Sequence, residues 1–359
     1  MADPTLPTTT DAPLAPSPVA DDAPAIRDAW PWTDRMPLTG WLERNAFHPL
    51  WTALLVFVLA FVLFQVVIAP IVIGVGVALD LMQSGGGEAP DAGELLASVM
   101  ENSRLLMTAN TIGQIVGFAL FAVFAARRHT PNASDYLRFR RPDGLALGLA
   151  ALGWAVLYPA VLWVGQLNEL IPLPEWLQVM EQSQVELIEG LLLGGNLGTG
   201  FLFVALALTP AVCEELLFRG YLQRQVERGW GTATSILLVG VLFGLYHLRL
   251  SQAIPLSLLG VYLGYVVWAT GSLWSGMLVH LLNNGLAVVM AGYARQNPDL
   301  DLEALEAASM PWYFGLAGLV LAAGMAYALY QRRQSVVGDR PDSAPAPLPL
   351  SPDSPSPVL

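Results

Sequence analysis

The 359-residue chain contains no lysine, so all 17 of its basic residues are arginine. It has one cysteine, Cys213, and only four histidines, and its charged share of 13% is about half the roughly 25% usual for soluble domains. A single cysteine excludes an intrachain disulfide and any cysteine-based zinc site. The shortage of charge, against 54% hydrophobic residues, argues against an ordinary soluble core. No nucleic-acid partner is expected. No cleavable signal peptide is expected either, because the first 49 residues are polar, acidic and proline-rich and lack an apolar segment. The all-arginine basic set points to a GC-rich bacterial genome.

What the chain has instead is a series of apolar runs near the length of about 20 residues that crosses a bilayer. Eight spans are expected, roughly at 50–78, 104–126, 144–166, 197–218, 232–250, 253–270, 272–293 and 311–330. The expected fold class is therefore all-α, a polytopic membrane helix bundle. Three regions are expected: a disordered tail at 1–36, a helical membrane domain at 37–334 and a second disordered tail, rich in proline and serine, at 335–359. Arginines cluster after the second span (Arg127, Arg128, Arg138, Arg140, Arg141) and after the fourth (Arg224, Arg228). The loops after the first, third and seventh spans are mainly acidic, for example Glu88, Asp91, Glu94, Glu181 and Asp301. Positive charge marks the cytoplasmic side, so the chain is expected in a bacterial cytoplasmic membrane with both termini inside. Residues 176–193 suggest an amphipathic helix on the outer surface, read as an ordinary loop helix. Four pairs of glycines at small-xxx-small spacing, including Gly240/Gly244 and Gly260/Gly264, are read as helix packing.

Ionisable groups inside spans are costly, about 2.5 to 3.5 kcal/mol each at the bilayer centre, and usually face a working cavity. The candidates are Glu214, Glu215 and Arg219 on the fourth span, His247 and Arg249 on the fifth, and His280, Asn283 and Asn284 on the seventh. Glu215 and Arg219 are four residues apart, share a helix face and can pair. His280 and Asn284 have the same spacing. Glu214 and His247 lie at similar distances on either side of Trp230, so a straight hairpin places them at one depth. That depth is a few turns from the inner surface, in a cavity open to the cytoplasm. Phe243, one turn before His247, reads as a wall of that cavity. The interfacial histidines His48 and His129 carry no functional expectation. A carboxylate and a histidine can activate a water, and a second histidine with an amide can hold an oxyanion. Two histidines and a carboxylate could alternatively bind zinc, although the HExxH pattern is absent.

Three motifs in order carry a resemblance. "EELLFR" (Glu214, Glu215, Arg219), "FGLYH" (Phe243, His247) and "HLLNN" (His280, Asn284) match EExxxR, FxxxH and HxxxN on successive spans. The chain resembles the CAAX prenyl endopeptidase and bacterial CPBP (ABI) intramembrane proteases, most strongly over about residues 200–290, the expected protease core. The resemblance implies an intramembrane endopeptidase of glutamic type acting on membrane-anchored or lipidated proteins or peptides. It also implies that Glu214 and His247 activate the water, that His280 and Asn284 form the oxyanion site, and that Glu215 and Arg219 support them. Divalent metal dependence in this family has been argued both ways, and zinc stays open as a cofactor.

Other readings leave different marks. A structural hydrogen-bond network explains Asn283 or Arg249 better than Glu214. A transporter would show inverted repeats, and none is visible beside the proline at 210. A non-catalytic scaffold or immunity protein would tolerate loss of Glu214. Cys213 has apolar neighbours and reads as packing.

Overall fold

The computed structural model describes residues 38–83, 91–194, 197–297, 299 and 309–338. The tail expected over 1–36 lies outside these residues. So does all of the second tail except its start, because the last helix continues to Gly338. Among the described residues the regular structure is entirely helical.

A short helix α1 (Trp41–Arg44) precedes α2 (Pro49–Gln83). Pro49 opens α2, where a missing N–H costs nothing, and His48 caps it by accepting the Leu50 N–H at 3.3 Å. Then come α3 (Ala92–Glu101), α4 (Ser103–Arg127), α5 (Ala133–Tyr136) and α6 (Gly144–Glu169). They are followed by α7 (Glu175–Leu193), α8 (Thr199–Trp230), α9 (Thr232–Tyr246), α10 (Ala253–Thr270), α11 (Leu273–Gln296) and α12 (Trp312–Gly338). Among the described residues, seven helical segments are long and apolar enough to cross a membrane, and α9 is a shorter apolar helix beside them. The chain is an all-α, multi-pass bundle; among its described residues the seven span-length helices and the shorter α9 lie at the eight expected positions, with α9 below spanning length.

The fifth span differs from its expected extent. It stops at Tyr246 rather than at 250, because Leu248 adopts a left-handed backbone (φ 55°) that ends helical hydrogen bonding. Arg249 therefore lies in a turn and not within a span. Conversely, the apolar helix after it, which looked short in sequence, is a full 21-residue segment, Leu250–Thr270.

The helix α8 is the axis of the bundle. In its most apolar window 67% is buried inside the protein, against 17% for α2, whose leucines and valines face outward as lipid contacts require. One core packs α2, α4 and α9 around α8; a second joins α6, α10 and α12; a third joins the start of α8 to α7 and α11. Gly231, with φ 82°, makes the tight reversal between α8 and α9. The glycine pairs of α9 and α10 let those backbones touch: a Cβ on Gly260 would stand 2.5 Å from the Gly240 carbonyl oxygen. By contrast, Gly144 and Gly148 face open space.

The arginine-rich loops share one end of the bundle. The Gly40 N–H reaches the His129 carbonyl, the Leu273 N–H reaches that of Arg138, and Arg332 grips Asp143 through two bonds of 2.9 and 3.0 Å. Both ends of the described chain thus meet the arginine loops.

Candidate active site

Pro210 and two wide π-helical segments, Val204–Leu208 and Leu216–Leu222, flank the glutamate pair within α8. Such segments are rare inside helices and often mark working sites. Pro210 has no N–H to give the Leu206 carbonyl one turn earlier. That carbonyl accepts from the Asn284 side-chain amide instead, at 3.1 Å. The local fault in α8 is thereby converted into a tie to α11.

Glu215 and Arg219 are fully buried, at 0% exposure, and are bonded at 2.7 Å, as their spacing predicts. Arg219 also donates to the Gly260 carbonyl at 2.9 Å and stacks 4.3 Å from the centre of the Phe243 ring. The same Glu215 oxygen receives His280 Nδ1 at 3.0 Å. A carboxylate only accepts, so His280 Nδ1 carries a proton and its Nε2 turns the other way. Nε2 stands 3.9 Å from Glu214 Oε2. That oxygen is buried and has no hydrogen-bond partner among the described residues. Gly276 is what lets α11 approach, since a Cβ there would stand 2.7 Å from Glu215 Oε2.

His247 donates Nδ1–H to the Phe243 carbonyl at 2.7 Å, which leaves its Nε2 lone pair available. Phe243 is the hub of the cluster. Its ring lies 4.9 Å from that of His247 and 5.6 Å from that of His280, centre to centre. His247 and Asn284 are only partly buried, whereas the glutamates, Arg219 and His280 are enclosed. The cluster therefore opens on the side of His247 and Asn284.

The structure thus joins Glu214, Glu215, Arg219, Phe243, His247 and His280 through direct contacts, and Asn284 by its tie to α8. Sequence reasoning missed part of the support. Trp154 of α6 donates to Asn283 Oδ1 at 3.2 Å, and Asn283 donates to Asn284 Oδ1 at 3.2 Å. This chain fixes which way the Asn284 amide points and leaves its second N–H free to act. Pro210 was the available signal, because a helix proline implies an orphan carbonyl one turn back.

Among the described residues, no group of three or more His, Cys, Asp or Glu side chains is arranged to hold a metal. Cys213 is buried in the core beside Glu214.

Residues 196–286, about a quarter of the chain, match the family model described as Rce1-like, type II CAAX prenyl endopeptidase Rce1-like. Comparison with curated proteins and with solved structures gave no match. The matched segment contains α8 to the middle of α11, the stretch that carries every residue of the buried cluster. With its bundle of apolar helices the chain is a multi-pass membrane protein, and its residues 196–286, which hold all three motifs, are similar to the Rce1-like, type II CAAX prenyl endopeptidase model.

Proposed function

We propose that the chain is an intramembrane endopeptidase that hydrolyses membrane-anchored or lipidated peptides and proteins with a water activated by Glu214 and His247. The observation that carries this reading is the buried, unpartnered Glu214 Oε2 facing His280 Nε2 across 3.9 Å, inside a segment that matches a peptidase family. A carboxylate left without a partner in an apolar interior is costly to keep. A catalytic water is the polar group that would make use of it.

In this reading Glu214 takes a proton from the water as its oxygen attacks the scissile carbonyl carbon. His247 Nε2, whose tautomer is set by Phe243, accepts a hydrogen bond from the same water. The carbonyl becomes an oxyanion, bound by the free N–H of Asn284 and by His280 when that ring is protonated at both nitrogens. Glu215 orients the His280 ring through its bond to Nδ1, and Arg219 holds Glu215 in place. Collapse of the intermediate breaks the C–N bond, and Glu214 returns the proton to the departing amine. The products are a new carboxylate and a new amino terminus.

On the positive-inside rule, the arginine-rich end faces the cytoplasm of a bacterial cell and both termini lie there. The test uses full-length wild type and Glu214→Gln in liposomes, with a library of membrane-anchored and lipidated peptides read by mass spectrometry. Wild type is expected to generate new termini and the variant to generate none. Equal cutting by both would end the water-activation role of Glu214. A folded wild type that cuts nothing would favour a non-catalytic scaffold. Repeating the assay with a chelator reads metal dependence directly.

A further inference from the structure

The turn that carries His247 is held by groups from outside its own hairpin. Leu248 turns the chain back in a left-handed conformation, and a 3₁₀ turn, Leu250–Gln252, leads into α10. The first N–H groups of such a helical start have no carbonyl partner within it. Glu181 of α7 supplies the acceptors: one carboxylate oxygen takes the Leu250 N–H at 2.6 Å and the other takes the Ser251 N–H at 3.2 Å. Asn168, in the last turn of α6, accepts the Ile254 N–H and donates to the Leu250 carbonyl, both at 2.9 Å. Glu181 is only 5% exposed, although it lies on a helix whose sequence reads as an ordinary surface element.

A carboxylate that accepts backbone N–H groups at a helix start makes strong, charge-assisted bonds and complements the helix dipole. Arg249, between His247 and this cap, lies in the field of Glu181 and Glu189 of α7. From this we infer that Glu181 is a positioning residue for His247: it fixes the turn from α7, so that the imidazole is held where the proposed reaction needs it. The inference rests on the peptidase reading for the role of His247. The link between Glu181 and the His247 turn stands on geometry alone.

The chain has four histidines, which makes them separable by nitrogen-15 histidine spectra of the full-length protein in micelles. Peaks are assigned with single His→Asn variants. In Glu181→Ala the His247 resonances should move while those of His129 and His280, bonded elsewhere, stay in place. With a cleaved peptide, kcat should fall about tenfold or more at unchanged KM, since small misplacements of a catalytic group have large kinetic effects. Glu181→Gln retains an acceptor oxygen and should recover most of that loss. An unmoved His247 in folded Glu181→Ala overturns the inference. So does a moved His247 with unchanged kcat, or equal movement of all four histidines in both variants. Should wild type cut nothing, the peptidase reading fails, and movement of His247 alone decides whether Glu181 sets its turn.

Discussion

At the scale of single residues, the buried pair of Glu215 and Arg219 was legible because four-residue spacing on a helix needs no tertiary information. What spacing could not show is that Arg219 also reaches the Gly260 carbonyl and the Phe243 face, or that Glu215 shares one oxygen with His280. Those partners come from α9, α10 and α11, and their arrival depends on packing. The triple use of Arg219 gives a prediction. Arg219→Met keeps much of the side-chain volume but removes the guanidinium from Glu215, leaving that carboxylate, at 0% exposure, with the His280 Nδ1 bond alone. Removing one partner of a buried pair costs about 3 to 5 kcal/mol, so the variant should unfold at markedly lower temperature in detergent. A melting temperature equal to wild type would mean that the Arg219 pairing does not stabilise the fold. The chain from Trp154 through Asn283 to Asn284 was beyond sequence reasoning for the same reason. Its first member sits on α6, more than a hundred residues away.

At the scale of helices, eight apolar segments and their order could be read from hydropathy, while the end of α9 could not. Nothing in the composition of residues 247–250 marks Leu248 as left-handed; that follows from the cap that Glu181 and Asn168 offer to the next helix. Small-xxx-small spacing likewise identifies faces that permit close approach but not which faces have a partner. Gly260 lies against the Gly240 backbone, whereas Gly148 has nothing within 4 Å of its missing Cβ. The contrast makes a paired prediction. Gly260→Ala forces a methyl onto a carbonyl that cannot step aside without moving α9. It should cost about 1 to 3 kcal/mol, as overpacking usually does, and lower cleavage because His247 rides on α9. Gly148→Ala should be neutral or stabilise by up to about 1 kcal/mol through helix propensity. Thermal denaturation and cleavage rates of the two variants check both. Equal losses at the two sites would show that helix approach does not govern this bundle.

For the whole molecule, the distribution of arginine indicated that the loop after α4 and the end of α8, where Arg224 and Arg228 lie, belong together, and the structure adds what they do there. They close one end of the bundle around His129, whose ring was expected to be an idle interfacial group. His129 donates Nδ1–H to Glu43 at 2.6 Å, and its Nε2 accepts from the Gln225 amide at 2.5 Å and lies 2.9 Å from the Tyr221 hydroxyl. The Tyr136 ring stacks on it, and Arg228 holds the second oxygen of Glu43 at 2.9 Å. In this arrangement a neutral imidazole satisfies every neighbour. A second proton on Nε2 would point at the Gln225 N–H and lose that bond. Burial pushes the His129 pKa below its ordinary 6.5, and this outweighs the opposing pull of Glu43. The unfolded chain therefore takes up a proton near pH 6.5 that the folded chain refuses. The stability that depends on this difference is complete above that pH and is lost as the pH falls toward the folded pKa. The melting temperature of the full chain in detergent should accordingly drop between pH 7.5 and 5.5. His129→Asn, which retains a donor and an acceptor but does not titrate, should start lower and show a shallower drop. If the two proteins lose stability in parallel over that interval, protonation of His129 is not what opens the arginine-rich end.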